Sequence, residues 1–316
     1  MDSCCIVLNP EARTSRREAV ASHIGNVVGN AAVRLTRGPG HAEALAREAV
    51  ALGFQTIVAG GGDGTVNEVL RGIAGADVRM GVLPLGTMNV FARELQIPLE
   101  WTAAWKTIVS GFERRVDIGW ANDMPIAQLA GVGFDAQAIA RVHPGIKRRL
   151  GPAAYVWAGV LELFTHMPLL NVICEGRPPM QGVWVALGTG RYYGGPFPVF
   201  PDAVNGEGLL NVMVVRDLSL KCLCQGFLTL PVGRHTKMDA VTYFQTRSLR
   251  VELAPGAKGC PSLELDGELL KADSSSYSGV YYEVQKPVAS KTREKTKRFS
   301  LFTLYMLLNG SEANIF

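Results

Sequence analysis

No run of 18 or more apolar residues occurs in the 316-residue chain, so a membrane span is not expected. The nearest candidate, residues 153–170, is broken by Glu162, Thr165 and His166. The opening residues MDSCCIVLNP place no basic leader before an apolar core, so an export signal is not expected either. The six cysteines (Cys4, Cys5, Cys174, Cys222, Cys224, Cys260) form no C-x-x-C pair, and no histidine joins Cys222 and Cys224 at zinc-finger spacing. Reduced thiols in a cytoplasmic protein are therefore the expectation. Charge of one sign is also scarce. The net charge is +4, and residues 286–316, with six basic and two acidic residues, carry all of it. A body of zero net charge lacks the basic face that nucleic acid requires, so no nucleic-acid partner is expected. With 47% hydrophobic residues the chain is not a disordered one, and its length suits about two domains.

Two patterns divide the chain. Residues 1–118 alternate short β-branched runs with helix-like stretches. Strands are expected at 4–8, 32–35, 56–59 and 80–83, and helices at 15–28, 41–52 and 65–73. Strands alternating with helices imply a parallel sheet with helices packed on it. After Trp120 the helix-like stretches shrink to 134–142, 152–164 and 219–231. Strand-like segments at 183–187, 209–215, 240–244, 249–253 and 280–284 dominate, punctuated by turns such as Asn205-Gly206 and Asp266-Gly267. The expected organisation is an α/β domain over 1–118, a β-rich domain over 119–284, and a basic, then apolar, tail over 285–316.

The strongest local signal is Ala59-Gly60-Gly61-Gly62-Asp63-Gly64-Thr65, directly after a buried strand and directly before a helix. Glycines let backbone amides approach a ligand closely, and a helix N-terminus favours an anion. Asp63 stands where phosphates would arrive and would repel them unless a magnesium ion mediates. Thr65 can cap the helix or donate to a phosphate. A second turn, Pro84-Leu85-Gly86-Thr87-Met88-Asn89, offers a glycine and a hydroxyl after the next strand. Thr36 ends a third, and all belong to the edge where open α/β sheets bind ligands.

Other nucleotide signatures fail. No G-x-x-x-x-G-K-[ST] occurs. Gly131-Val132-Gly133-Phe134-Asp135-Ala136 fits a relaxed dinucleotide fingerprint. However, the next acidic residue is Glu162, too far on to hold a ribose, so a tight turn and helix start is the expected reading.

At these residues the sequence resembles the diacylglycerol kinase catalytic family, which includes bacterial lipid kinases and sphingosine and ceramide kinases. The resemblance runs through Asn9-Pro10, Thr36, Gly61-Gly62-Asp63-Gly64-Thr65 with Asn67-Glu68, and Leu85-Gly86-Thr87 with Asn89. It continues through Lys147 to Tyr155 and Gly194-Gly195 to Leu265-Asp266-Gly267-Glu268. It implies an α/β nucleotide-binding domain, a C-terminal antiparallel β-sandwich, and an active site in the cleft between them. It further implies ATP- and magnesium-dependent transfer of a phosphoryl group to a lipid hydroxyl, as on a diacylglycerol-like acceptor. By position, Asn9, Thr36, Gly60, Gly61, Gly62, Asp63, Gly64, Thr65, Val66, Gly86 and Thr87 would contact ATP. Glu268 would be the general base with Asp266 as alternative or helper, and Val204, Glu207 and Leu209 would form the magnesium turn.

Glu207-Gly208 stands where the family has Asp-Gly, and Glu11-Ala12-Arg13 replaces a small glycine turn. On its own, Asp266-Gly267-Glu268 reads as a β-turn with solvated acids, a reading that only a cleft context reverses. The chemistry needs positioning, charge neutralisation and a proton acceptor, which the glycine loop, magnesium near Asp63, and Glu268 could supply. The alternatives are a kinase of a soluble metabolite, such as NAD or a sugar phosphate, and a non-catalytic lipid- or nucleotide-binding protein.

A lipid acceptor would require a peripheral membrane surface as partner. Lys147-Arg148-Arg149 is one candidate contact. The tail, a polybasic run followed by the apolar patch 299–308, is another, with packing on the first domain or self-association as equal readings. Oligomeric state is silent in the sequence.

Overall fold

The computed structural model describes residues 3–11, 24, 28–29, 31–110, 112–134, 136–137, 167–193, 197–257, 262–270, 280–284 and 304–308. Of the sequence expectations, most of the helix over 15–28, the helix over 152–164, Lys147–Arg149 and Gly194-Gly195 lie outside these residues.

The chain divides into two units after Ile118. In the first, strands β1 (Cys4–Leu8), β2 (Ala32–Leu35), β3 (Thr56–Gly61), β4 (Arg79–Pro84) and β5 (Phe112–Val116) accompany helices, of which the described residues give four in full. These are α1 (His41–Ala51), α2 (Asp63–Ile73), α3 (Val90–Glu94) and α4 (Trp101–Ser110). β1 and β3 are buried along their whole length, as expected for the β-branched runs of a covered parallel sheet. Helix α1 buries Ala42, Ala46 and Ala49, and its small side chains let α2 approach closely. A methyl group on Gly72 of α2 would meet the Ala46 Cβ at 2.8 Å.

The second unit contains β6 (Gly119–Ala121), β7 (Met124–Ile126), β8 (Leu129–Gly133), β9 (Leu170–Ile173), β10 (Met180–Gly182), β11 (Trp184–Gly188) and β12 (Leu210–Val215). After helix α5 (Leu220–Thr229) come β13 (Val241–Thr246), β14 (Ser248–Leu253), β15 (Leu263–Leu265), β16 (Glu268–Leu270) and β17 (Val280–Val284). The last strand, β18 (Leu304–Leu308), returns to the first unit.

The first sheet has the order β2-β1-β3-β4-β18-β5. β2, β1, β3, β4 and β18 run parallel, and β5 is antiparallel to β18. The apolar patch of the tail thus supplies an inner strand of this sheet over 304–308, which is the packing alternative among its three readings.

The second unit holds two antiparallel sheets, β10-β9-β14-β17-β6-β7 and β13-β12-β11-β8-β15-β16. Leu170, Val172, Leu249 and Val251 of one meet Val132, Val185, Leu187 and Val212 of the other in a single apolar cluster, making a sandwich. An α/β domain followed by an antiparallel sandwich is the fold that the resemblance implied. Gly131–Gly133 belongs to β8 inside this antiparallel sheet, where the parallel βαβ context of a dinucleotide fingerprint is absent. Gly133, at φ 94°, ends the strand at a close approach to the Val183 carbonyl, and Phe134 is helical.

Candidate active site

In the first unit the parallel register sets the site. Leu8 pairs with Leu35 and Gly60, and Gly61 with Pro84, so the C-terminal ends of β1 to β4 share one edge. Asn9, Thr36, the 60–66 loop and the 85–89 turn all emerge there. Hydrogen bonds bind these turns together. Asn9 N donates to Gly60 O (2.8 Å), Thr36 N to Leu8 O (2.9 Å) and Leu85 N to Gly61 O (2.8 Å).

The glycines are required by close approach. Gly62 and Gly86 lie back to back, and a Cβ on Gly62 would meet the Gly86 Cα at 3.2 Å. A Cβ on Gly61 would overlap the Thr65 side chain, and one on Gly60 would meet Leu8 Cδ1 at 3.0 Å. Asn89, buried and left-handed (φ 47°), clasps Gly86 from below. Its Oδ1 accepts from Gly86 N and its Nδ2 donates to Gly86 O, both at 2.9 Å.

Helix α2 starts two residues earlier than the sequence suggests. Its cap is Gly62, with no side-chain hydrogen bond, so Thr65 is not the capping residue. The extended backbone of Gly62 leads straight into the helix, and Thr65 Oγ1 instead accepts from Asn9 Nδ2 at 3.3 Å. The amides of the first helical turn, 63–65, have no carbonyl partner within their own helix, as at any helix start. Asp63 turns its Oδ1 onto the Phe91 amide (3.2 Å) at the start of α3. Burial raises its carboxyl above the ordinary aspartate range, while the backbone donors of Phe91, Val90 and Asn89 pull it down. Thr36 is buried; Gly64 and Thr87 are exposed at the edge.

In the second unit Asp266 and Gly267, both at positive φ (51° and 88°), form the two-residue hairpin between β15 and β16. The Asp266 carboxylate accepts three amides, those of Ala127 (2.7 Å), Gln128 (2.9 Å) and Leu129 (3.0 Å). It is a backbone clamp and not a solvated turn acid. Glu268 follows it on β16, half-buried. Val204 and Glu207 are exposed in the turn before β12, where Gly206 (φ 112°) and Gly208 (φ 73°) take conformations suited to glycine. Among the described residues no three His, Cys, Asp or Glu side chains gather as a metal site.

The hairpin and this turn are joined by a chain of hydrogen bonds. The Gln128 amide goes to Asp266, the Gln128 carbonyl accepts Thr189 N (3.0 Å), and Thr189 Oγ1 accepts Asn205 Nδ2 (3.5 Å).

Comparison with known proteins now bears on these two clusters. Residues 3–121 match the family of the diacylglycerol kinase catalytic domain, and residues 128–278 the YegS C-terminal NAD kinase beta sandwich-like domain. A diacylglycerol kinase of Bacillus subtilis is 30% identical over 275 residues, 83% of this chain and 88% of that protein. The chain belongs to the diacylglycerol kinase catalytic family. A Pseudomonas putida protein named "Probable lipid kinase YegS-like" is 37% identical over 188 residues, 58% of this chain and 63% of that one. The crystal structure of a diacylglycerol kinase of Bacillus anthracis superposes with a TM-score of 0.69 at 17% identity, covering 98% of this chain and 97% of that one, a likeness of fold.

Within this kinase family fold, sequence reasoning missed a group at the hairpin. Glu264 is 1% exposed, and its carboxylate accepts the Tyr193 hydroxyl (3.1 Å) and the Gly267 amide. The strand pattern Leu263-Glu264-Leu265 marks Glu264 only as the polar face of a strand. Asn89 and Glu68, noted only as family landmarks, prove to be backbone anchors. Glu68 accepts the Gly40 and Ala42 amides (both 2.9 Å) at the start of α1. Burial pushes the Cys4 thiol up to about 12, which leaves it inert.

Proposed function

We propose that the protein is an ATP- and magnesium-dependent lipid kinase that transfers the γ-phosphoryl group of ATP to the hydroxyl of a diacylglycerol-like lipid. The observation carrying this reading is the shared edge of β1 to β4, where two glycine turns lie back to back. There the amides of 63–65 and the exposed Thr87 hydroxyl can surround phosphate oxygens without side-chain obstruction. Asn9, bonded to Thr65, and Asn89, clasping Gly86, hold the two turns in place.

Glu268 is the proton acceptor in this reading. It takes the hydroxyl proton as the lipid oxygen forms its bond to the γ-phosphorus, the bond from that phosphorus to the bridging oxygen breaks, and ADP leaves. Asp266 serves by position: three backbone amides hold it, so it fixes the hairpin on which Glu268 stands. Glu264 steadies the same hairpin through Gly267.

The magnesium turn offers one carboxylate, Glu207, together with backbone carbonyls at Val204 and Leu209. That all-oxygen set fits a hard divalent cation whose shell is completed by water. A cation held there or beside Asp63 would supply positive charge to the site. The reading is of a protein working at a peripheral membrane surface in the cytoplasm. Among the described residues no helix is long and apolar enough to cross a membrane.

Incubation with labelled ATP, magnesium and a panel of diacylglycerol, sphingoid base, phosphatidylglycerol and NAD tests the assignment. Label is expected on a lipid, and Glu268→Ala should lower kcat on the order of 10²-fold or more. Label on NAD alone would refute the lipid acceptor, and equal turnover by the variant would remove Glu268 as the base.

A further inference from the structure

Helix α5 and the 3₁₀ turn that follows it, Leu230–Val232, carry apolar residues on their outer side. Leu220 is 55% exposed, Phe227 54%, Leu228 81% and Val232 69%. Leu220, Phe227 and Leu228 stand at i, i+7 and i+8, so they form one stripe of the helix. The inner side is already occupied, since Cys222 and Leu230 pack on the cluster of Phe200, Met213 and Val215. Ser219 caps the helix by accepting the Cys222 amide at 3.2 Å. The element is therefore anchored to the sandwich by one face and offers a second apolar face outward, where a water-facing helix would be polar.

Residues 218–238 contain no Asp or Glu, while Lys221, Arg234 and Lys237 are exposed; with Arg216, Asp217 and Asp239, exposed just outside that span, residues 216–239 carry four basic and two acidic side chains. A short apolar stripe flanked by cations, with no acid between, is complementary to an anionic bilayer: apolar contact below the headgroups and positive charge at their level. We propose that α5 and the turns after it are the surface by which the protein docks on an anionic lipid membrane. The surface is tied to the site. Nε2 of His235, in the 3₁₀ turn Arg234–Lys237, lies 2.8 Å from the Val199 carbonyl, and Gly233 packs on Pro201. Both belong to the strap that leads into the 204–209 turn.

The purpose of this surface rests on the lipid-kinase reading, but its test does not. The full-length protein is floated with phosphatidylglycerol/phosphatidylcholine vesicles and with pure phosphatidylcholine vesicles, without nucleotide. Wild type should float with the anionic vesicles and lose binding in high salt. A Phe227→Ser/Leu228→Ser/Val232→Ser variant, changed only at exposed positions, should bind at least ten-fold less while keeping its melting temperature. Lys221→Gln/Arg234→Gln/Lys237→Gln should lose the preference for anionic vesicles. Wild type that does not float, or a serine variant that floats as well as wild type, would overturn the proposal. So would a lipid-free dimer, seen by sedimentation equilibrium, that the serine variant dissociates, because a second copy would then cover the stripe. Flotation without phosphoryl transfer to any lipid would leave the docking surface standing and remove the proposed activity.

Discussion

At Gly86 two demands meet in one residue: its backbone touches Gly62, and its amide and carbonyl are both held by Asn89. A methyl group there would meet Asn89 Oδ1 at 2.8 Å and crowd the Gly62 backbone, so Gly86→Ala cannot be absorbed by one flexible side chain. The expected cost is about 1–3 kcal/mol of stability. If half of that reaches the loop, MgATP binding should weaken about two- to ten-fold. Urea unfolding and titration calorimetry would measure the two effects, and unchanged values of both would refute the back-to-back packing.

Asp63 gives a pH signature at the same scale. Its folded-state carboxyl is raised, chiefly by burial, so the folded protein holds that proton more tightly than the unfolded chain. The unfolded chain then binds fewer protons over this range, and stability falls as pH rises from the ordinary aspartate range through the raised folded value. Asp63→Asn keeps an acceptor for Phe91 N but has no proton to lose. It should flatten that part of a melting-temperature profile, and a slope equal to wild type would assign the effect elsewhere.

Among the elements, α1 shows how the sheet edge is shaped from a distance. Gly40, at φ 79°, caps it without a side chain, and the missing acceptor comes from Glu68 on α2. Glu68→Ala should cost about 0.5–2 kcal/mol by chemical denaturation, with Glu68→Gln recovering part of it, as for other lost caps. An alanine variant as stable as wild type would show that water satisfies those amides equally well.

The elements also show what the sequence makes readable. The glycine loop and the second turn were legible because glycine, hydroxyl and helix start follow one another within a few residues. β1 to β4, β11 to β14 and β17 were legible from β-branched runs, whereas β5 to β10, β15 and β16 were not, and 131–133, read as a tight turn, is the end of β8. The start of α2 was not, because Thr65 looks like a cap and the actual cap, Gly62, has no side chain to announce it. Glu264 and the Gln128–Thr189–Asn205 chain were illegible for another reason. Their partners are far off in sequence, and period-two alternation assigns Glu264 to a polar face without saying that Tyr193 covers it.

For the whole molecule the decisive element is β18. In sequence it is an apolar patch after a basic run, a pattern equally suited to a membrane, a partner or a sheet, and only the pairing of Tyr305 with both Arg79 and Arg115 separates these. Truncation after Gln285 removes a strand from between β4 and β5. It should therefore lower the melting temperature and the activity on vesicles and on detergent-dispersed lipid alike. Loss confined to vesicles, with an unchanged melting temperature, would return the tail to an anchoring role.

A strand that joins the first sheet only after the chain has passed through the sandwich also imposes an order on biogenesis. During translation the α/β half emerges first, yet one interior lane of its sheet stays vacant until residues 304–308 leave the ribosome. Until then β4 and β5 expose unpaired amides and carbonyls to any neighbouring polypeptide, the hazard of an open sheet edge. A nascent chain stalled before that point should be the form that chaperones retain and proteases remove.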